Sequence, residues 1–204
     1  MPVIRSAVRS VLSDTIREAV VSPWRYFSTF DPVLNSYGEL DTEFTPSGDF
    51  EYEVDVSTVD TVTALQCVMS GTANGNNEIA CFVQSDGNVR AFAYVGTTLQ
   101  TAIVSSGLSV NDGQLHTIEL TYTGTTAELF VDGASEGSAT WALDGNQDIK
   151  FAGSRTGSTQ YFNGIIANVK LTDLATSSNS RIFPVGLSGG ASVENSTINS
   201  GSIT

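Results

Sequence analysis

The sequence predicts an all-β fold, a two-sheet antiparallel β-sandwich with a short N-terminal α-helix. Two alternating runs, His116–Thr123 and residues 126–132, are separated by only two residues. Many other short apolar runs alternate with Gly, Asn and Asp, as in strands joined by tight turns. No helical segment of about 10–15 residues lies between these runs, which argues against a parallel α/β fold.

The hairpin at residues 114–133 is the clearest element. Gly124 comes first in its two-residue loop, as a type II′ turn requires, because that position has a positive φ. This turn pairs Tyr122 with Ala127 and places the apolar side chains on one face. The other face is polar except for Phe130. Since a fully buried large apolar side chain contributes roughly 1.5–3 kcal/mol, one face is expected to pack against a core.

Further strands are predicted on both sides of this hairpin. Residues 50–56 alternate between apolar and acidic side chains, which is typical of a half-buried strand. The other predicted strands cover residues 61–69, 78–84, 89–95, 99–104, 139–143, 149–152 and 161–172.

Two cysteines fall in adjacent predicted strands. A hairpin centred on Asn74 places Cys67 opposite Cys81, with apolar pairs on either side. The sequence favours two small buried core residues. A cross-strand disulfide is the alternative, although its geometry tends to be strained. The spacing fits no zinc motif.

Residues 1–23 differ from the rest of the chain. Apolar residues recur there at helical spacing, arginines occupy other positions around the axis, and Pro23 ends the pattern. We expect an amphipathic helix that attaches or oligomerises the protein, or that docks on its own sandwich, formed by residues 24–204. Charges interrupt any apolar stretch that a signal peptide would need.

The charge distribution limits which kinds of molecule the protein is expected to bind. The formal net charge is −13. Residues 1–25 carry four arginines and two acidic residues, a net of +2, so the remainder carries −15. Such an acidic body repels nucleic acid and anionic membranes, and neither is expected as a partner. No apolar run approaches the roughly 20 residues that a membrane-spanning helix needs.

Three motifs resemble the laminin-G-like, concanavalin-A-like jelly roll. The hairpin at 114–133 has a strand beginning at a histidine, a short turn and a strand ending in Val-Asp-Gly. YFNGIIANVKLTD at 161–173 is similar to the closing Phe-x-Gly-x-Ile-x-x-Val strand, and SGDFEYEVDV at 47–56 resembles an early strand. The resemblance implies a fold that hosts lectins, hydrolases, adhesion modules and virion proteins.

The C-terminal segment carries a second resemblance. RIFPVGLSGGASVENS, residues 181–196, resembles a segment that follows laminin-G-like domains in bacteriophage structural proteins. This resemblance implies an ordered strand at 181–185 and a virion context.

Catalytic residues are not apparent, and no enzyme activity is expected. Glucanases on this fold carry a Glu-x-Asp-x-x-Glu strand, and the nearest match, Glu51-Tyr-Glu53-Val-Asp55, lacks the final glutamate. His116 is the single histidine and no Gly-x-Ser-x-Gly accompanies it. The resemblance implies a structural role for this histidine, in hydrogen bonds to neighbouring backbone.

Calcium is the only cofactor for which the sequence offers a candidate site, and none is required. Asp144, Asn146 and Asp148 present oxygen ligands at i, i+2 and i+4, the spacing of a calcium-binding loop. Ile149 stands where an EF-hand loop has glycine, so an ordinary Asp/Asn/Gly turn is the alternative.

Carbohydrate binding would use exposed aromatic rings for stacking and amides for hydroxyl groups. The candidates are Trp141, Tyr161 and Tyr94, with Asn163 beside them. Each also fits a core or rim position.

These observations favour a non-catalytic bacteriophage virion protein: a head fibre, decoration or tail-fibre module with affinity for host-surface glycans. It would contact other virion proteins through residues 1–25, form a homo-oligomer and reside on the extracellular particle. The first alternative is a secreted or surface-attached carbohydrate-binding or adhesion module. A polysaccharide-degrading enzyme is disfavoured because the acid pair is missing.

Overall fold

The computed structural model describes residues 27–30, 37–72, 75–155, 160–175, 180–183, 196–199 and 202–203. These residues form strands and no helix. The strands are β1 (Phe27–Phe30), β2 (Tyr37–Phe44), β3 (Phe50–Ser57), β4 (Leu65–Ser70), β5 (Ile79–Gln84), β6 (Val89–Val95), β7 (Thr98–Leu99), β8 (Ile103–Val104), β9 (His116–Thr123), β10 (Thr126–Val131), β11 (Ala134–Thr140), β12 (Ile149–Ala152), β13 (Gly164–Asp173), β14 (Ser180–Phe183), β15 (Ser196–Asn199) and β16 (Ser202–Ile203). The helix predicted at residues 1–23 lies outside the described residues.

The strands form two sheets with antiparallel pairing throughout. Sheet 1 has the order β11-β10-β9-β3-β13-β1-β16, with β14 also paired to β13. Sheet 2 has the order β15-β2-β12-β4-β5-β6-β7, with β8 also paired to β6. The prediction of a two-sheet antiparallel sandwich is confirmed. β14 covers residues 181–183 of the strand predicted at 181–185, whose last two residues lie outside the described ranges.

The central hairpin is confirmed in register and in turn type. Tyr122 pairs with Ala127. Gly124 has a φ of 63° and the following threonine has no positive φ, as a type II′ turn requires. At the other end of β10, Asp132 and Gly133 have φ values of 51° and 76° and form a second tight turn.

That second turn corrects one prediction. Because the chain reverses at Asp132 and Gly133, β11 begins at Ala134 and pairs with β10. The strand predicted at 139–143 therefore begins and ends too late along the chain. β11 is an edge strand with a β-bulge at Glu136, which has no pairing partner in β10, and none of the side chains of β11 is buried.

The core lies between the inner faces of the two sheets. On β3, apolar side chains alternate with partly exposed acidic ones, so one face of sheet 1 is buried and the other faces solvent. Sheet 2 contributes side chains such as Ile79, Cys81 and Ala91 from its inner face. The largest side chains in the core are Trp141, Tyr52, Phe44, Phe50 and Phe162.

The two cysteines do not lie opposite each other. Cys67 pairs with Phe82, and an irregularity in β4 then shifts the register, so that Met69 pairs with Cys81. An inserted residue of this kind turns the following side chains to the other face. Cys81 therefore enters the main core, whereas Cys67 packs in a smaller cluster on the outer face of sheet 2. Both thiols are free and buried, as the sequence favoured, but the predicted register is wrong.

Gly164 explains the glycine of the Phe-x-Gly-x-Ile strand. It has a φ of 154°, and a Cβ at this position would overlap the carbonyl oxygen of Ser57 on β3. β13 can thus approach β3 only with glycine here. Within the described part of the chain, no helix is long and apolar enough to cross a membrane.

Candidate binding site

A cavity of about 290 Å³ opens at one rim of the sandwich. It lies between the β2–β3 connection, the β9–β10 turn and the loop that follows β11. Its polar lining comes from Ser47, Asp49, Tyr122, Asp144 and Gln147. We call this feature the rim cavity. Its size is close to the lower end of small-ligand sites, and its lining consists of hydrogen-bonding groups.

Two carboxylates in the rim cavity are fixed by one oxygen each. Asp49 Oδ1 accepts a hydrogen bond from the Gly124 amide at 2.7 Å. Asp144 Oδ1 accepts from Gln147 Nε2 at 2.7 Å and from the Asn146 amide at 3.2 Å. The hydrogen bonds from Gln147 and Asn146 lower the pKa of Asp144 and keep it ionised. Among the described residues, no donor contacts Asp49 Oδ2, so this atom can accept a ligand hydroxyl. The Asn146 side chain adds a further hydrogen bond to the Asp144 carboxylate.

The three predicted calcium ligands do not come together. Asp144 and Asn146 lie on the same loop at the rim, but Asp148 is buried and turns away. Asp148 Oδ2 accepts from Thr72 Oγ1 at 2.6 Å and from the Thr72 amide at 3.0 Å. These bonds tie its loop to the end of β4. Over the described ranges, no group of three or more His, Cys, Asp or Glu residues is placed to hold a metal. Calcium binding stays a prediction that rests on Asp144 and Asn146.

Trp141 lies in the core rather than on the surface. Its side chain is fully buried, and its Nε1 donates to the Thr101 carbonyl at 2.7 Å. Tyr122 donates its hydroxyl to the Trp141 carbonyl at 3.3 Å. No face of this indole is open to a sugar ring in the structure.

The other predicted ligand residues lie in separate places. Asn163 Nδ2 donates to Asp60 Oδ2 at 3.1 Å, and the backbone amide of Asn163 donates to Gln66 Oε1 at 3.1 Å. Asn163 therefore connects its own loop to the loop before β4 and to β4 itself. Tyr161 is partly exposed, and burial, followed by the nearby Tyr37, raises its pKa. Tyr94 lies on the outer face of sheet 2.

Tyr94 belongs to a group that sequence reasoning missed. The rings of Phe82 and Phe92 stack at 5.5 Å with an interplanar angle of 12°, and Tyr94 meets Phe92 edge-on at 5.8 Å. We call this surface the aromatic face. The signal was present in β6, where Arg90, Phe92 and Tyr94 alternate with four apolar residues, two valines and two alanines, and therefore share one side of the strand.

A buried ion pair sits against the aromatic face. Arg155 Nη2 donates to Glu78 Oε2 at 2.8 Å and Arg155 Nε donates to Glu78 Oε1 at 3.0 Å. Glu78 is fully buried, and its Oε2 also accepts from the Gly75 amide at 2.8 Å. The guanidinium lies over Phe82 and Phe92, 5.8 and 5.5 Å from the ring centroids. The pair is satisfied on both sides and covers the two rings.

His116 is held between two carboxylates instead of bonding to backbone. Its Nδ1 lies 2.8 Å from Asp132 Oδ2 and its Nε2 lies 3.0 Å from Asp112 Oδ1. Burial lowers the pKa of His116, but the hydrogen bonds and charges of Asp132 and Asp112 outweigh burial, and the net shift is upward. Both ring nitrogens are thus engaged in joining a loop to the β10–β11 turn.

The sequence profile of the concanavalin A-like lectin/glucanases superfamily matches residues 36–180, more than half of the chain. The chain belongs to this superfamily. The match spans the interval from just before β2 to the first residue of β14, and so includes the rim cavity and the aromatic face. The expected resemblance to a laminin-G-like, concanavalin-A-like domain is confirmed at this level. A search of curated proteins found no match.

Several solved structures have the same fold as this chain, at low sequence identity. A heptameric SAP-like pentraxin from Limulus polyphemus superposes with a TM-score of 0.54 at 10% identity, covering 72% of this chain and 74% of the pentraxin chain. Domains LG4-5 of the mouse laminin alpha1 chain give 0.56 at 13% identity, covering 76% and 46%. The LG1-3 region of the laminin alpha2 chain gives 0.55 at 17% identity, covering 72% and 26%. The chain thus spans less than half of either laminin fragment.

Proposed function

We propose that the domain is a non-catalytic carbohydrate-binding module and that the rim cavity is its binding site. The observation that carries this proposal is the convergence of Asp49, Asp144 and Gln147 around one cavity at the rim. Sugar hydroxyls need paired acceptors and donors held in place, and these side chains supply both. Membership of a superfamily that includes lectins supports the proposal.

Binding without catalysis agrees with the position of the remaining acidic groups. A glycosidase needs two carboxyl groups flanking the scissile bond. Glu51 and Asp55 lie on the solvent-facing side of β3, where Glu51 pairs with Lys170 at 2.8 Å. Asp55 accepts hydrogen bonds from Thr117 and Asn168, both at 2.6 Å. These contacts support a structural role for the strand that most resembled a glucanase motif.

Substitutions in the rim cavity test the proposal. Asp49→Asn and Asp144→Asn keep the shape of each side chain and retain the acceptor that holds the loop. Each removes a charge-assisted hydrogen bond to a sugar hydroxyl, so we expect glycan affinity to fall by about tenfold or more. A glycan array identifies the ligand, and calorimetry with that glycan measures the loss.

The matched control is Glu128→Gln, an acidic residue on the outer face of sheet 1. Its affinity is expected to equal that of the original chain. A blank array, or equal affinity in all four proteins, would overturn the rim cavity as a glycan site.

Calcium is a separate part of the proposal. Asp144 Oδ2 and the Asn146 side chain would supply two oxygen ligands, with the glycan or water completing the shell. Calorimetry with calcium chloride is expected to give heat that Asp144→Asn abolishes. If no heat appears and the melting temperature does not rise with calcium, the domain works without the ion.

We further propose that the domain is displayed on a bacteriophage particle, with residues 1–25 contacting other virion proteins and assembling copies of the chain. The support is the resemblance of residues 181–196 to phage structural proteins and the helical pattern at the N-terminus, which lies outside the described residues. A chain lacking residues 1–22 is expected to lose oligomerisation and particle attachment while it retains glycan affinity. A truncated chain that stays oligomeric and joins particles would favour the alternative of a secreted or cell-surface adhesion module.

A further inference from the structure

Arg90, on β6, stands apart from the other cations. Of the described side chains that carry a positive charge, Lys150 pairs with Glu39 at 3.4 Å, Arg155 with Glu78 and Lys170 with Glu51. Arg90 alone in that described set makes no ion pair and no hydrogen bond. The chain has 22 acidic and nine basic residues, so carboxylate partners are abundant. An unpaired arginine in such a chain is a place where a negative charge from outside can bind.

The Arg90 guanidinium is already oriented. Its Cζ lies 5.4 Å from the centroid of Phe92, a cation–π contact that limits its motion. Its Nε is buried and has no hydrogen-bond partner. Because Nε is buried, the two Nη groups are the part of the guanidinium that an anion can reach. The side chain therefore needs little reorganisation to receive a ligand.

The local charge on the aromatic face is positive. Arg90 and Arg155 both contact the Phe92 ring, whereas Glu78 is the carboxylate that faces them. Glu78 already uses both oxygens, for Arg155 and for the Gly75 amide. Since Glu78 neutralises Arg155, Arg90 is left as a cation without an anionic partner beside Phe92, in a chain with a net charge of −13.

The surroundings of Arg90 indicate what kind of anion fits. Val104 pairs with Arg90 across the strands and is 44% exposed, and Tyr94 is partly exposed on the other side of Phe92. A planar guanidinium binds a carboxylate or a sulfate through two parallel hydrogen bonds, and an aliphatic or aromatic surface packs against a sugar ring. We propose that the Arg90 end of the aromatic face, where Val104 and Tyr94 rather than the buried rings offer apolar surface, binds an acidic saccharide, a uronic acid or a sulfated sugar, whose anionic group pairs with Arg90. This site is distinct from the rim cavity and does not depend on it.

Nuclear magnetic resonance of the full chain tests this proposal directly. The probes are trigalacturonate, a sulfated galactotriose and neutral galactotriose, each titrated while the Arg90 Nε–Hε resonance is followed. Both anionic probes are expected to shift this resonance and to bind about tenfold or more tightly than the neutral one, since hydrogen bonds to charged groups are the stronger class. The affinity should fall as salt is added. Comparison of the two anions shows whether carboxylate or sulfate is preferred.

Matched variants separate Arg90 from general charge effects. Arg90→Met keeps an aliphatic contact with Phe92 and is expected to reduce anion affinity to that of the neutral probe. Arg90→Lys keeps the charge without the planar fork and should retain an intermediate affinity. Lys170→Met removes a cation from sheet 1 and should change little. Thermal melting of each variant confirms folding.

Three results would overturn the proposal. The first is anion binding by Arg90→Met that equals that of the original chain. The second is equal affinity for the neutral and anionic probes, or no binding by any of them. The third is anion binding that Asp144→Asn abolishes while Arg90→Met does not, which would place the ligand in the rim cavity. Loss of rim binding alone leaves this inference standing.

Discussion

The outer faces of the two sheets are built in opposite ways. On sheet 1, the outward side chains of β3 and β9 are polar and partly exposed, and their only nearby cation among the described residues is Lys170. On sheet 2, the outward side chains Cys67, Ala80, Phe82 and Phe92 are buried and form a second, smaller apolar cluster. Water solvates the first face. The second face is covered by Arg155 and its ion pair with Glu78.

This difference shows where each kind of interaction contributes to the protein. The partly exposed carboxylates on sheet 1 face solvent and add little to the stability of the domain. The buried pair on sheet 2 lies in a less polar environment, where breaking it leaves an uncompensated charge. We therefore expect sheet 1 to tolerate substitution on its outer face, and sheet 2 to combine stability and ligand recognition on the corresponding surface.

The largest expected effect comes from the two ion pairs. Arg155→Met leaves Glu78 buried and unpaired, so the free energy of unfolding should fall by about 3–5 kcal/mol. Lys170→Met breaks the exposed pair with Glu51 and should cost about 1 kcal/mol or less. Urea unfolding measures both. The double substitution Glu78→Gln with Arg155→Met should recover part of the loss, and equal effects of the two single substitutions would show that the faces do not differ.

The second test compares one aromatic residue from each face. Phe92→Ala removes a buried ring stacked on Phe82, and we expect a loss of about 3 kcal/mol in the free energy of unfolding. Phe130→Ala removes a partly exposed ring from the outer face of sheet 1 and should cost about 1 kcal/mol. Chemical unfolding of both variants decides the matter. Similar losses would mean that the aromatic face is no more a core than the acidic one.

A smaller effect of opposite sign is expected on sheet 1. Burial, followed by the charges of Glu51 and Glu53, raises the pKa of Glu119, and Glu53 lies directly opposite it. A raised carboxyl pKa means that stability is fully present below the unfolded pKa and is lost as the pH rises. Glu119→Gln should therefore increase the free energy of unfolding at pH 7 by about 0.2–1 kcal/mol. The gain should vanish in unfolding curves recorded at acidic pH, and a gain that persists there would contradict the charge explanation.

The smallest effect concerns His116 at the end of β9. Its raised pKa stabilises the fold fully below the ordinary pKa of histidine, about 6.5, and this contribution is lost as the pH rises through the folded value. Melting temperatures measured from pH 5.5 to pH 9 should thus fall slightly more for the original chain than for His116→Asn. Parallel profiles for the two proteins would show that Asp112 and Asp132 do not hold a charged imidazole.

The sequence predicted sheet 1 better than sheet 2 for a physical reason. β3, β9 and β10 are polar on one side, so alternation shows which side chains face inward. β5 is apolar on both sides, and β6 has two aromatic residues beside Arg90 on its outer side, so the contrast between polar and apolar faces is much weaker there. The irregularity in β4 has no sequence signal, and because of it the buried Cys67 lies on the outer face of sheet 2 rather than opposite Cys81.

The sequence predicted only those residues of the candidate site that lie close together along the chain. Asp144 and Asn146 were found because the ligand spacing lies within one loop. Asp49 joins them only when the β2–β3 connection folds to the same rim. Arg155 and Glu78 are 77 residues apart, so no local pattern links them. Trp141 was a candidate for sugar stacking because it lies near a loop, with a core position as the alternative, and the structure buries it in the core.

The edge strands have a consequence for handling the protein at high concentration. A long, flat, apolar edge offers its unpaired amides and carbonyls to a strand from another molecule. β11 instead carries Ser, Glu and Gly with no buried side chain, and its own bulge at Glu136 distorts the edge. In sheet 2, the edge strand β7 is only two residues long. Neither of these two edges is a good template for intermolecular strand addition, so concentrated solutions of the protein are not expected to join molecules into fibres through β11 or β7.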